Sequence, residues 1–152
     1  MTPRILINGA KGRMGRTLIA VAQEMNLPVG AAVDAGDDLA AGLAQADVIV
    51  DFSLAPATRH VLELAVARRK PVVIGTTGHS AAEKKNLVEL AGTIPCVWAG
   101  NYSVGVNLLF ALTRRAAAVL CSDYDAEVVD MHHRFKKDAP GCTAERLLGI
   151  VR

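Results

Sequence analysis

Three glycines, Gly9, Gly12 and Gly15, stand between the apolar run Arg4-Ile5-Leu6-Ile7-Asn8 and a stretch in which Met14, Leu18, Val21, Ala22 and Met25 fall at helical spacing, with Pro28 as its stop. A strand that turns through glycines straight into a helix is the opening of a βαβ unit. Gly9 suits the tight turn, Gly12 lets the backbone approach a pyrophosphate, and Gly15 lets the helix lie close on the strand, while free N–H groups at the helix start face an anion. Arg13 adds a cation at that end. Asp34 closes a second strand and lies 19 residues after Gly15, near the ~20-residue offset of an acid that hydrogen-bonds an adenosine ribose. The acid favours NAD; Arg13, whose guanidinium suits a 2′-phosphate, keeps NADPH open beside NADH. A tight turn with no ligand, and a mononucleotide or other phosphorylated ligand, are the competing readings of the same glycines.

The alternation continues beyond this unit. Short β-branched runs at residues 29–34, 48–52, 71–75 and 96–99 are separated by helical segments: a short one capped near Asp37, one entered at Ser53 and Pro56, and one opened by the capping box Ser80-Ala81-Ala82-Glu83. This is the pattern of an α/β fold, a Rossmann-type doubly wound parallel sheet covered on both faces. The run from Val104 to Leu120 is apolar almost all round and predicts a buried helix linking two parts of the molecule. Beyond it, residues 125–131 read as a strand, and Thr143 as the cap of a last helix over 144–151.

Composition narrows the partners. With 51% of 152 residues apolar and 21% charged, disorder, collagen and coiled coil are excluded. A net charge of +2, with no basic stripe, points to small ligands rather than nucleic acid or a membrane surface. Cys96, Cys121 and Cys142 are an odd set without metal-type spacing, and the N-terminus carries no signal-peptide pattern; both predict a cytoplasmic protein.

Gly75-Thr76-Thr77-Gly78 follows the fourth strand, at the sheet edge where ligands bind in open α/β folds; it also reads as an ordinary turn. The stretch His132-His133-Arg134-Phe135-Lys136-Lys137-Asp138-Ala139-Pro140 is charge-dense and His-rich. His132 and His133, with Lys136 four residues after the first, suit an anionic substrate that needs proton transfer. Neighbouring strand residues point to opposite faces, so both His share one site only where the strand ends or twists. A zinc site from His132, His133 and Cys142 does not match the usual spacings, and no metal is expected.

Taken in order, Gly9-Ala10-Lys11-Gly12-Arg13-Met14-Gly15, Asp51-Phe52-Ser53, Gly75-Thr76-Thr77-Gly78, Asn101-Tyr102-Ser103-Val104-Gly105-Val106-Asn107 and the His132 stretch resemble the 4-hydroxy-tetrahydrodipicolinate reductases, nicotinamide-dependent enzymes of the diaminopimelate route to lysine. The resemblance runs from Ile5 to about Thr143. It implies NADH- or NADPH-dependent reduction of 4-hydroxy-tetrahydrodipicolinate to tetrahydrodipicolinate. The glycine motif with Arg13 and Met14, together with Asp34, would hold the adenosine half of the cofactor, and Gly75, Thr76 and Thr77 the nicotinamide half. His132 would be the general acid, with His133, Lys136 and Thr143 on the carboxylates of a small dicarboxylate and Lys136 also in the catalytic set. The family is a homotetramer, so a homo-oligomer is implied.

Gly141-Cys142-Thr143 stands where the family usually has Ser-Gly-Thr, and Asp130 where Glu is common. Family members also continue for roughly another domain half past that Thr, so the resemblance implies a dinucleotide-binding domain over residues 1–121 followed by part of a smaller α+β substrate domain over 122–152, in a chain that is either C-terminally truncated or a compact relative without the remaining elements, with the strand around Val128 left as an unpaired edge. The alternative reading is a nucleotide-binding fragment or sensor without turnover; a third is a related oxidoreductase acting on another small acid. Because Ala35 rather than a cation follows Asp34, NADH is expected to bind at least as well as NADPH.

Overall fold

The computed structural model describes residues 2–135 and 140–152. β1 (Ile5–Asn8), β2 (Val29–Val33), β3 (Val48–Asp51), β4 (Val72–Ile74) and β5 (Cys96–Trp98) form one all-parallel sheet in the order β2-β1-β3-β4-β5. They alternate with α1 (Arg13–Glu24), α2 (Leu39–Leu43), α3 (Thr58–Ala67) and α4 (Ala81–Ala91). Right-handed crossovers carry α1 over one face as the chain steps from β1 to β2, and the later helices over the other as it steps back past β1 to β5. The chain is therefore doubly wound, as its alternation predicts, and its order reverses between β1 and β3.

Strand alternation decides where the core lies. Leu6, Ile49, Val72 and Ile74 face one side and pack with Leu43, Val61, Leu62, Ala65 and Leu87, all closed off from water; each of the Leu, Ile and Val side chains contributes about 1.5–3 kcal/mol by burial. On the other side Ile7 is buried, while Val48, Val50 and Val73 are half-buried. α1 buries Gly15 and Ala22, leaves Met14 and Val21 exposed and ends before Met25, which is exposed as well, so it packs through small residues rather than the large ones its periodicity singles out.

Local chemistry sets the helix starts. Asp38, one residue past the expected Asp37, caps α2 by accepting from the Ala41 N–H at 3.0 Å. The capping box at Ser80 and Glu83 opens α4 as read from sequence. Ser53 does not cap α3: a short 3-10 turn, Ala55–Ala57, with Pro56 in its first positions comes first, and the Ser53 hydroxyl turns back to Asp51.

The chain divides into two compact units, Met1–Ala99 and Gly100–Arg152. In the second, α5 (Val104–Leu120) and α6 (Cys142–Val151) pack together. α5 has the expected bounds, but none of its residues is buried; among the described residues too little apolar surface covers it. The strand expected over 125–131 does not form either. A strand needs a partner ladder, none lies beside this segment among the described residues, and Met131 is 84% exposed. Gly141 rather than Thr143 is the N-cap of α6, and Thr143 sits in its first turn. No helix of the described residues is long and apolar enough to cross a membrane.

Candidate functional site

The strand order reverses at the carboxyl ends of β1 and β3, and an open α/β sheet leaves a crevice at such a point. A cavity of about 430 Å³ lies there, bordered by Gly9, Gly12, Asp34, Asp37, Ser53 and His60, among others.

The glycine turn forms one wall. Gly9 has φ +82°, and a Cβ on it would come within 2.5 Å of the Phe52 carbonyl oxygen, so both backbone and space require glycine. The N–H groups of Gly9 and Ala10 both donate to the Val33 carbonyl, at 2.9 and 3.0 Å, which ties the turn to the end of β2. A Cβ on Gly15 would lie 2.1 Å from the Gly9 carbonyl oxygen; this is the close approach of helix to turn that the spacing predicts. α1 begins after Gly12 with no side-chain cap, which leaves its first N–H groups open to an anion. Arg13 is exposed and forms no ion pair among the described residues. Met14 is also exposed; neither residue borders the cavity.

Asp34 does border it. Its two oxygens accept from the Lys11 N–H at 2.7 Å and the Ala35 N–H at 2.8 Å, and these backbone donors hold its carboxyl below the ordinary value. Each oxygen keeps a further lone pair for a ligand hydroxyl. Asp37 accepts from the Asp34 N–H at 2.9 Å and lies 3.9 Å from the Lys11 ammonium.

At the end of β4, Gly75 is pressed against the Phe52 ring, which a Cβ would meet at 2.1 Å. Thr76 is buried: its hydroxyl donates to Asp51 at 2.8 Å, and its carbonyl accepts from the Trp98 indole at 3.3 Å. Thr77 is exposed. The His79 ring meets the Thr58 hydroxyl at 2.9 Å and stands edge-on to Trp98. Asp51 is a part of this architecture that pattern reading noted in a motif but did not assign to a site.

The second unit carries His132 and His133. His132 Nδ1 lies 3.0 Å from Asp130 Oδ1, and the other Asp130 oxygen accepts from the Gly141 N–H at 2.9 Å. That contact holds the His132 ring by its Nδ1. Asp130 is thus a functional candidate that the sequence marked only as standing where Glu is common in the family. The His133 ring nitrogen accepts from the Phe135 N–H at 3.2 Å, and the ring is exposed. Cys142 is exposed and Thr143 half-buried at the start of α6. Lys136 lies outside the described residues. The Asn101 motif builds the start of α5: Ser103 caps it by accepting from the Val106 N–H, and the Asn107 amide donates to the carbonyls of Asn101 and Ser103.

Two family models, the N-terminus and the C-terminus of dihydrodipicolinate reductase, match residues 3–102 and 105–152. A 4-hydroxy-tetrahydrodipicolinate reductase of Akkermansia muciniphila is 49% identical over 148 residues, covering 97% of this chain and 60% of the relative. One of Magnetococcus marinus is 42% identical, covering 95% and 63%. Among solved structures, a dipicolinate-bound dihydrodipicolinate reductase from Paenisporosarcina sp. TG-14 superposes with a TM-score of 0.75 at 24% identity, over 99% of this chain and 66% of that one. The chain thus spans under two thirds of these proteins.

Proposed function

The chain belongs to the dihydrodipicolinate reductase family, and from that premise we propose that it serves the reduction of 4-hydroxy-tetrahydrodipicolinate to tetrahydrodipicolinate by a nicotinamide cofactor. The observation that carries the proposal is the cavity that Gly9, Gly12 and Asp34 border together. In this reading the pyrophosphate lies on the glycine turn and the open N–H groups of α1, with Arg13 and Met14 beside it, and Asp34 accepts from the ribose hydroxyls. Gly75, Thr76 and Thr77 follow the nicotinamide half. The cofactor supplies the hydride; His132, held by Asp130, supplies the proton that follows it, and His133, Lys136 and Thr143 hold the substrate carboxylates. Residues 1–121 then make up the dinucleotide part and 122–152 the substrate part.

The acids Asp34 and Asp37 on the cavity wall favour a ribose diol over a 2′-phosphate dianion, so NADH is the preferred cofactor. The dicarboxylate, a homo-oligomeric assembly and a cytoplasmic setting complete the reading; the free state of Cys96, Cys121 and Cys142 supports the last. Oxidation of NADH and of NADPH by the 152-residue chain, with freshly generated substrate and a substrate-free control, tests it. Substrate-dependent turnover that is faster with NADH, and about 10²–10⁴-fold lower in His132→Gln, is the expected result. Turnover that is indifferent to His132→Gln would refute the role given to that residue. A folded chain that binds cofactor without turnover would favour the nucleotide-binding reading.

A further inference from the structure

Asp51, the last residue of β3, is wholly buried, and no Lys, Arg or His among the described residues forms an ion pair with it. A buried carboxylate without a cation is costly unless hydrogen bonds replace its water. Here they do. Oδ1 accepts from the Asn8 side-chain amide at 2.7 Å, the Ser53 hydroxyl at 2.6 Å and the Ser53 N–H at 3.3 Å. Oδ2 accepts from the Thr76 hydroxyl at 2.8 Å.

These donors come from three segments at one edge of the sheet. Asn8 directly precedes the turn glycine Gly9, Ser53 borders the cavity, and Thr76 is the second residue of the loop after β4. Strand register sets Asn8 beside Asp51 on one flank and Ile74, two residues before Thr76, on the other. Thr76 spends its single hydroxyl proton on Asp51 and its carbonyl on the Trp98 indole, so its polar side-chain chemistry is directed into the protein.

We propose that Asp51 is a positioning residue of the cofactor site, one that fixes the separation between the glycine turn and the Gly75-Thr76-Thr77 loop through Asn8 and Thr76. This inference rests on the cofactor reading above. A dinucleotide that meets both loops gains from the second one only when the spacing is set beforehand, since ordering the loop on binding would cost part of that gain. A ligand that meets the glycine turn alone is indifferent to it. A residue that only stabilised the fold would affect both kinds of ligand alike.

The test compares binding of NADH and of ADP-ribose, which lacks the nicotinamide, to the full 152-residue chain and to Thr76→Val and Thr76→Ser. Thr76→Val is expected to weaken NADH about tenfold, the order set by losing one hydrogen bond to a charged group, and to change ADP-ribose by less than about twofold. Thr76→Ser, which keeps the hydroxyl, is expected to restore NADH binding. Equal weakening of both ligands, no weakening of NADH, or no rescue by Thr76→Ser would overturn the proposal while leaving the cofactor reading intact. Failure of the parent chain to bind NADH would overturn both. If Thr76→Val does not fold, Thr76→Ala is read in the same two titrations.

Discussion

Both oxygens of Asp34 accept backbone N–H groups, from Lys11 and Ala35, and its carboxyl is held below the ordinary value of 3.8. Asp47 is lowered in the same direction, first by the Arg4 N–H and then by the Arg4 side chain. Because the folded values lie below the unfolded ones, the unfolded chain binds protons first as pH falls. These groups therefore contribute stability above the ordinary value and lose it as pH falls towards the folded one. Thermal melts are expected to be level from about pH 7 to about pH 5 and to drop below about pH 4. An Asp34→Asn, Asp47→Asn double variant is expected to melt lower at neutral pH and to show a shallower acid drop; an unchanged drop would assign the acid sensitivity elsewhere. The position of Asp34 was legible from its offset to Gly15. The direction of the Thr76 hydroxyl was not, because a motif locates a residue at a sheet edge without saying which neighbour takes its proton.

Elements were legible where their own chemistry fixes them. The capping box at Ser80 and the reach of α5 from Val104 to Leu120 depend on neighbours a few residues away, and both match the sequence reading. Burial depends on what lies opposite, and there pattern fails: α5 is apolar on nearly all sides and yet exposed, with Leu108 at 57% and Leu112 at 59%. The segment over 125–131 has a strand's composition and no ladder to join. A Leu108→Lys, Leu112→Gln variant is consequently expected to shift stability by no more than about 0.5 kcal/mol per site in a denaturant titration, as exposed positions do. It is also expected to reduce self-association measured by sedimentation. A loss of about 2 kcal/mol or more per site would mean that the helix is covered in solution.

At the scale of the whole chain, two compact units carry two kinds of chemistry: a doubly wound sheet with a cavity at its switch point, and a helical unit bearing the Asp130–His132 pair. The α/β class followed from strands and helices taking turns along the chain. The family followed from five motifs in order and agrees with the models matched over 3–102 and 105–152. Which residues border the cavity came only with the fold, because Gly9, Asp34, Ser53 and His60 come from separate segments that the sheet brings to one edge. On the proposed function, this cavity and the edge beside it hold a nicotinamide dinucleotide. Amide chemical-shift mapping of the isotope-labelled chain titrated with NADH tests it most directly. Saturable shifts are expected at residues 9–15, 34–37, 53 and 76–77; no saturable shifts, or shifts confined to other residues, would contradict cofactor binding there.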